Sequence, residues 1–142
     1  MTSVLLLHAA ATLYMTGLIW FVQVVHYPLF AAVGREPFAA YEKEHTRLTG
    51  WAVTAPMLIE LATGGALALW RPAALPAAPV WIGLALLGVI WLSTSLLQMP
   101  AHRTLLAGFD ARAHRRLVRS NWLRTAAWTT RGALALWFVH AV

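Results

Sequence analysis

The stretch RSNWLRTAAWTTRG, residues 119–132, leads into the last apolar run of the chain and adds fixed charge to it. Arg124 and Arg131 are seven residues apart, two helical turns on one face, with Asn121, Trp128 and threonines around them. A charge near the bilayer centre costs about 2.5 to 3.5 kcal/mol on insertion scales, so each guanidinium should face a bundle interior and find a partner there. The stretch therefore predicts a membrane helix bundle with a polar interior.

The rest of the sequence supports a membrane protein. Of the 142 residues, 60% are hydrophobic and only 11% charged, whereas soluble domains are about a quarter charged. Four apolar runs have the roughly 20 residues that cross a bilayer, and they lie at about residues 4–26, 50–70, 80–99 and 121–141. We predict an all-α fold with a single domain, residues 1–142, built as a bundle of four transmembrane helices.

Two further features of composition limit the possible classes of protein. No Lys or Arg precedes the first apolar run, and that run has the length of a full span, so we expect it to be retained rather than removed as a signal peptide. The absence of cysteine excludes disulfides, thiolate metal sites and haem attachment through CxxCH.

The distribution of basic residues predicts the orientation. The connections at residues 27–49 and 100–120 hold eight Lys and Arg residues, whereas the opposite face offers only Arg71. By the positive-inside rule, both connections are cytoplasmic and both termini lie outside, as expected in a bacterial cytoplasmic (inner) membrane. The net charge of +6 is then mostly a topology signal, and we expect lipid rather than nucleic acid as a partner.

The two basic connections also carry helical patterns. In the later one an apolar residue recurs every four positions, at Leu105, Phe109, Ala113 and Leu117, while arginines fill the other faces. This pattern predicts an interfacial amphipathic helix between helices three and four, anchored on lipid headgroups. In the earlier connection, PFAAYEKEH, with Glu42 and Glu44, is predicted to extend helix two as a solvated face.

When the sequence is aligned with itself at an offset of 71 residues, two pairs of tryptophans coincide. Trp20 falls on Trp91 and Trp51 on Trp122, which favours an ancient duplication of a helical hairpin about an axis along the membrane normal. The same offset aligns Glu60 with Arg131, each about ten residues into its span. We predict an ion pair between them near the bilayer midplane. Two roles remain open for it: locking helix two to helix four, or holding a charged cofactor and relaying protons.

A second group of polar residues is predicted at the cytoplasmic ends of the four helices. Its members are Gln23, His26 and Tyr27, His45, Thr46 and Thr49, Gln98 and His102, and Asn121 and Arg124. Such a group suits an interfacial polar belt, or a site for a carboxylate, a phosphate or a haem propionate, because Arg binds these groups in bidentate fashion. A metal site built from His26, His45 and His102 is a further alternative.

Several motifs resemble one family. The segment HAAATLYMTGLIWFVQVVHY, which begins at His8, resembles the first helix of the HemJ-type membrane protoporphyrinogen oxidases and related CopD-like four-helix proteins. RLTGWAVTAPM, residues 47–57, is similar to that family's Arg-Leu then Thr-x-Pro-x-Met signature, with one extra residue. The family's Leu-Ala-x-Gly motif is similar to LAG, residues 106–108. Its Asn-Glu-x-Pro-Thr motif is similar to part of the later RLVRSNWLRT, in which Asn121 and Thr125 match. Trp122 and Arg124 stand where the family has Glu and Pro.

The resemblance implies a four-helix core that binds haem b, with His8 as the candidate axial ligand. His102 is the other histidine that we consider as an iron ligand. The family's Trp-x-His-x-Lys arrangement in helix three is not retained, since Gly83 and Ala85 follow Trp81. The resemblance therefore does not extend to porphyrinogen oxidation.

Two functions from different classes follow. The first is a small membrane redox protein that binds haem or a similar anionic cofactor or substrate between its helices. Its candidate binding residues are His8, His26, Gln98, His102, Asn121, Arg124, Glu60 and Arg131. The second is a non-catalytic structural subunit that packs through small residues, such as Gly64 and Gly65, as a homo-oligomer or within a larger membrane complex.

Overall fold

Four long helices make up the chain. The computed structural model describes residues 1–142 and contains no strand. Its helices are α1 (Thr2–Ala32), α2 (Phe38–Leu69), α3 (Ala77–Leu105) and α4 (Ala111–Ala141). Each has between 29 and 32 residues, which gives a length of about 45 Å at 1.5 Å per residue. The predicted all-α fold of four helices is confirmed, as is the extension of helix two to Phe38.

Three of the helices, α1, α2 and α3, are long and apolar enough to cross a membrane, as expected for an integral membrane protein. α4 is equally long, but its 31 residues include six arginines. Its outward side is nevertheless apolar: Trp122, Leu123, Leu136 and Trp137 are exposed, while Asn121, Arg124 and Arg131 are buried. The guanidiniums of Arg124 and Arg131 therefore face the bundle, as the sequence predicts.

Side-chain contacts show how neighbouring helices run. α1 lies antiparallel to α2, because His8 contacts Thr63 and His26 contacts His45. α4 lies antiparallel to α1 along its whole length, from Gln23–Asn121 to the packing of Leu5 near Phe138.

The remaining helix pairs complete the arrangement. α3 is antiparallel to α4, with contacts from Gln98–Ser120 to Gly83–Arg131. α2 and α4 are parallel and meet across the interior at Glu60. The connections at residues 33–37 and 106–110 lie at one end of the bundle, here called the basic end.

A π-helical turn interrupts α1 and α3 at corresponding places. The turns are Val22–His26 and Thr94–Gln98, and in each case the second residue after the turn is a proline, Pro28 or Pro100. Proline has no N–H to donate and its ring clashes with the carbonyl four residues earlier. The preceding turn widens, so Tyr27 N–H donates to the carbonyl of Val22 and Met99 N–H to that of Thr94.

The predicted interfacial helix between α3 and α4 is wrong. Its residues are divided: α3 continues to Leu105, the chain turns at Gly108 with a φ of 132°, and Asp110 caps the start of α4. The apolar stripe packs into the bundle rather than onto lipid, because Leu105 and Leu117 are fully buried. An apolar residue at every fourth position suits a helix that faces lipid headgroups as well as one that packs in a bundle. Only the packing against the other helices distinguishes the two.

Two apolar clusters fill the interior. The larger lies toward the basic end and includes Met15, Phe30 and Trp128. The smaller, at the opposite end, includes Leu5, Leu67 and Phe138. A polar layer formed by His8, Glu60, Thr63 and Arg131 lies between the clusters, and the larger cluster borders a cavity.

Candidate binding cavity and its polar cluster

The ion pair predicted in the middle of the bundle is present. Arg131 Nη2 lies 3.0 Å from Glu60 Oε1, and both side chains are almost fully buried. Glu60 Oε2 accepts a hydrogen bond of 2.9 Å from the indole N–H of Trp128. Arg131 Nη1 donates to the carbonyl of Gly83 on α3. The carboxylate and the guanidinium are thus satisfied by protein groups alone, and they connect three helices.

His8 belongs to this sealed layer and not to a cofactor pocket. Its Nδ1 atom lies 2.7 Å from the Thr63 hydroxyl, and its ring packs against Gly64. The free space bounded by His8, Gly83 and Arg131 is about 10 Å³, close to the minimum that holds one water molecule. His8 does not line the large cavity of the bundle, so no space of porphyrin size lies beside it in this structure.

A much larger cavity of about 470 Å³ lies between the helices toward the basic end. Small-molecule sites commonly have volumes of about 300 to 1,000 Å³ and are lined mostly by apolar groups with a few polar ones. The apolar wall here is formed chiefly by Met15, Leu18, Ile19, Val22, Val53, Met57 and Trp128. The polar lining residues are Tyr27, His45, Thr46, Thr49, Thr54, Thr94, Gln98, His102, Arg103 and Arg124. The cavity therefore combines an apolar surface with several hydrogen-bonding and charged groups.

Arg124 is the buried cation of this cavity. Its Nε and Nη2 atoms donate to Asn121 Oδ1 at 2.9 and 2.5 Å, and Nη1 donates to the Thr94 hydroxyl at 3.2 Å. The ion pairs of the chain are Arg47–Glu44, His102–Glu42 and Arg131–Glu60, so Arg124 has no carboxylate partner. Its guanidinium is held by neutral oxygens and by the face of the Trp128 ring, 5.9 Å from the ring centre.

Neighbouring side chains hold the Arg124 network in place. Asn121 donates to Gln23 Oε1 at 3.0 Å, and Gln23 in turn donates to the carbonyl of Val118. Gln98, buried beside them, bonds Ser93 and Ser120, both at 3.0 Å. Asn121 and Gln98 therefore position other groups, because their amides are used within the protein.

A chain of hydrogen bonds runs from Arg124 to a buried carboxylate. Arg124 Nη2 lies 3.4 Å from the Tyr27 hydroxyl, which lies 3.1 Å from His102 Nε2; His102 Nδ1 lies 2.5 Å from Glu42 Oε1. If Arg124 donates to Tyr27, the phenol donates to Nε2, and the imidazole N–H donates to the carboxylate. Glu42 is fully buried, and its Oε2 atom has no hydrogen-bond partner.

His26 and His45 adjoin the same cluster. His26 Nε2 lies 2.8 Å from His45 Nδ1, to which the Thr49 hydroxyl also comes within 3.2 Å. The His45 and His102 rings stack with centroids 5.2 Å apart. One nitrogen of His45, Nε2, is left without a partner from the protein, and His45 borders the cavity.

The structure therefore divides the predicted site residues into two groups. His26, Gln98, His102, Asn121 and Arg124 come together around the cavity, whereas His8, Glu60 and Arg131 form the separate polar layer. Trp128 lies between the groups, since it lines the cavity and donates to Glu60.

Glu42 is the main residue that the sequence reading missed. The sequence pattern predicts a solvated face for the EKEH stretch, but Glu42 is buried while Lys43 and Glu44 are exposed. A signal was available, because Glu42 and His45 form a Glu-x-x-His pair, which places both side chains on one face of a helix and recurs in metal-binding helix bundles.

Comparison with known proteins gave no match to a family model, to a curated protein or to a solved structure. The resemblance to HemJ-type proteins thus rests on the quoted motifs alone.

Proposed function

We propose that this protein is a small integral membrane protein that binds an amphiphilic molecule, with an apolar body and one anionic group, inside its helix bundle. The observation that carries the proposal is the buried Arg124 guanidinium, which borders the cavity without a carboxylate partner. A buried cation of this kind is costly unless a counter-ion reaches it. An anionic ligand group at Arg124 supplies that counter-ion.

The shape and chemistry of the cavity support this class of ligand. Arg103 adds a second positive charge to the lining, and Thr94 and Tyr27 offer hydroxyls beside Arg124. The apolar wall is formed by side chains such as Met15 and Ile19. The anionic group would bind the guanidinium, and the apolar body would lie along that wall.

We further propose that α4 crosses the membrane with the other helices, that the basic end is cytoplasmic, and that both termini lie outside in a bacterial inner membrane. The antiparallel packing of α4 on α1 and its apolar outer side support the crossing. The basic residues of the two connections support the orientation. The matching π turns and prolines of α1 and α3 support a duplicated hairpin.

Ligand binding is tested with 2-naphthoate, which has an apolar body and one carboxylate, and with its uncharged amide. Binding to the protein in lipid nanodiscs is measured by calorimetry. We expect Arg124→Gln to weaken naphthoate binding about 10- to 100-fold, the range for a charged hydrogen bond, and to leave amide binding within about twofold. Arg116→Gln is the matched control, since Arg116 lies exposed on the same helix.

Two results would contradict the proposal. Equal affinity of the wild type for naphthoate and the amide would show that Arg124 does not select an anion. Binding of neither probe, with copurification of stoichiometric membrane partners, would favour the alternative of a structural subunit.

A further inference from the structure

We infer that Glu42, His45 and His102 form a binding site for a divalent transition-metal ion of the Zn²⁺ or Fe²⁺ type, at the polar end of the cavity. The site goes beyond the proposed ligand binding and does not depend on it. Two observations carry the inference, the convergence of three ligating side chains from two helices and a buried carboxylate oxygen without a partner.

The geometry of the three side chains suits a metal ion. One donor atom from each lies within 4.8 Å of the other two. Donors bound to one Zn²⁺ at about 2.1 Å in tetrahedral geometry are about 3.4 Å apart, so shifts of roughly 1 Å complete the site. Glu42 and His45 are one helical turn apart on α2, and His102 comes from α3. The site thus joins two helices that the cavity separates.

The burial of Glu42 is the second observation. Its side chain is fully buried, Oε1 contacts His102 Nδ1, and Oε2 contacts no hydrogen-bonding group. An unsatisfied polar atom in the interior costs about 1 to 3 kcal/mol, and more when it is charged. A cation between Glu42 and the two imidazoles satisfies this oxygen and takes the place of the proton between Glu42 and His102.

The surrounding groups resemble those that orient metal ligands. A ligating histidine usually bonds through its other ring nitrogen to a second group that fixes the ring. His45 has this arrangement, because His26 and Thr49 contact its Nδ1 and leave Nε2 free. Tyr27 contacts His102 Nε2 in the same way and leaves Nδ1 directed toward Glu42.

The ligand types indicate the class of metal. Two imidazoles and one carboxylate suit Zn²⁺ in open sites and Fe²⁺ in the facial triad, whereas Ca²⁺ and Mg²⁺ prefer oxygen ligands. Three protein ligands also leave coordination positions for other molecules. His45 and His102 border the cavity, so these positions would face its interior.

The test is Co²⁺ binding to the full chain in detergent, without any organic ligand, followed by the visible absorption of Co²⁺ and by the metal content of the washed protein. We expect one Co²⁺ per chain, displaced by Zn²⁺. Glu42→Gln and His45→Asn should each weaken binding at least tenfold. His140→Asn, which changes an exposed histidine near the end of α4, is the control and should bind as the wild type does.

Separate titrations distinguish this site from the proposed ligand binding. Co²⁺ is titrated in the absence of naphthoate, and naphthoate is titrated in the presence of a chelator, so either result can fail without the other. A wild type that takes up no metal, or a Glu42→Gln variant that binds Co²⁺ as tightly as the wild type, would overturn the site. If neither ligand variant folds, X-ray absorption of the Zn²⁺-loaded wild type decides, since the inference requires two imidazoles in the coordination shell.

Discussion

Arg124 and Arg131 occupy one face of one helix, yet only Arg131 has a counter-charge within the protein. Arg131 lies in the polar layer between two apolar clusters, where no space remains for a ligand, and Glu60 provides its counter-charge. Arg124 lies two turns earlier, beside the large cavity, where it donates to neutral oxygens and lies 5.9 Å from the centre of the Trp128 ring. The difference at the residue scale agrees with a structural role for Arg131 and with the binding role proposed for Arg124.

The ion pair in the polar layer makes a prediction about stability. Glu60→Gln leaves the Arg131 charge buried and unpaired, and we expect it to lower the free energy of unfolding by about 3 to 5 kcal/mol. Glu60→Gln combined with Arg131→Met should cost less than the single change, because no lone charge remains. Equilibrium unfolding in mixed detergent micelles measures both values. Equal losses in the single and double variants would show that the pair contributes little coupling.

The sequence predicted this pair and missed Glu42 for physical reasons. Glu60 and Arg131 lie deep inside apolar runs, where lipid leaves a charge no alternative to a partner, so depth alone identified them. Glu42 lies in a segment with Lys43 and Glu44, where water also satisfies a carboxylate. Which of these side chains points inward depends on the packing of α2 against α1 and α3. The local sequence pattern does not predict that packing.

At the scale of elements, both π turns carry residues of the cavity or of its polar cluster. Each turn adds a residue to a helical turn and thereby rotates the segment before it relative to the segment after it. Thr94 and Gln98 of the second turn line the cavity, whereas Gln23 and His26 of the first turn bond to Asn121 and His45 beside it. The long apolar runs predicted the helices that contain these residues but not the π turns. One extra residue shifts the helical pattern of buried and exposed positions, and this shift cannot be recognised where nearly every residue is apolar.

The start of α4 supplies a prediction at the same scale. Asp110 Oδ1 accepts a hydrogen bond of 2.6 Å from the N–H of Ala113 and caps the helix that carries both buried arginines. We expect Asp110→Ala to destabilise the protein by about 1 kcal/mol, as is typical for loss of an N-cap, while Asp110→Asn should retain most of the stability. Unfolding in detergent compares the two. Asparagine as damaging as alanine would show that the cap does not set the stability of this helix.

At the scale of the whole molecule, the surface exposes large apolar side chains while several charged side chains are buried. Large side chains such as Trp51, Leu69 and Leu92 are among the most exposed, whereas Glu42, Glu60 and Arg131 are among the most buried. This inversion suits a bundle whose sides face lipid and whose interior holds polar groups that lipid cannot satisfy. It also explains why composition predicted the all-helical bundle: charged residues within long apolar runs must face the interior, where other side chains can pair with them.

The crossing of α4 is the feature of the whole molecule that most needs a direct test. The chain contains no cysteine, so single cysteines can be introduced without removing any. We expect a membrane-impermeant maleimide to label Ala73→Cys and Val142→Cys on intact cells in which the outer membrane has been permeabilised. Glu36→Cys and Ala111→Cys should react only after the inner membrane is opened. All four positions are exposed in the folded bundle, so burial does not protect any of them. Labelling of residues 111 and 142 from the same side would show that α4 does not span the membrane. The cavity that α4 helps to enclose would then lie outside the lipid.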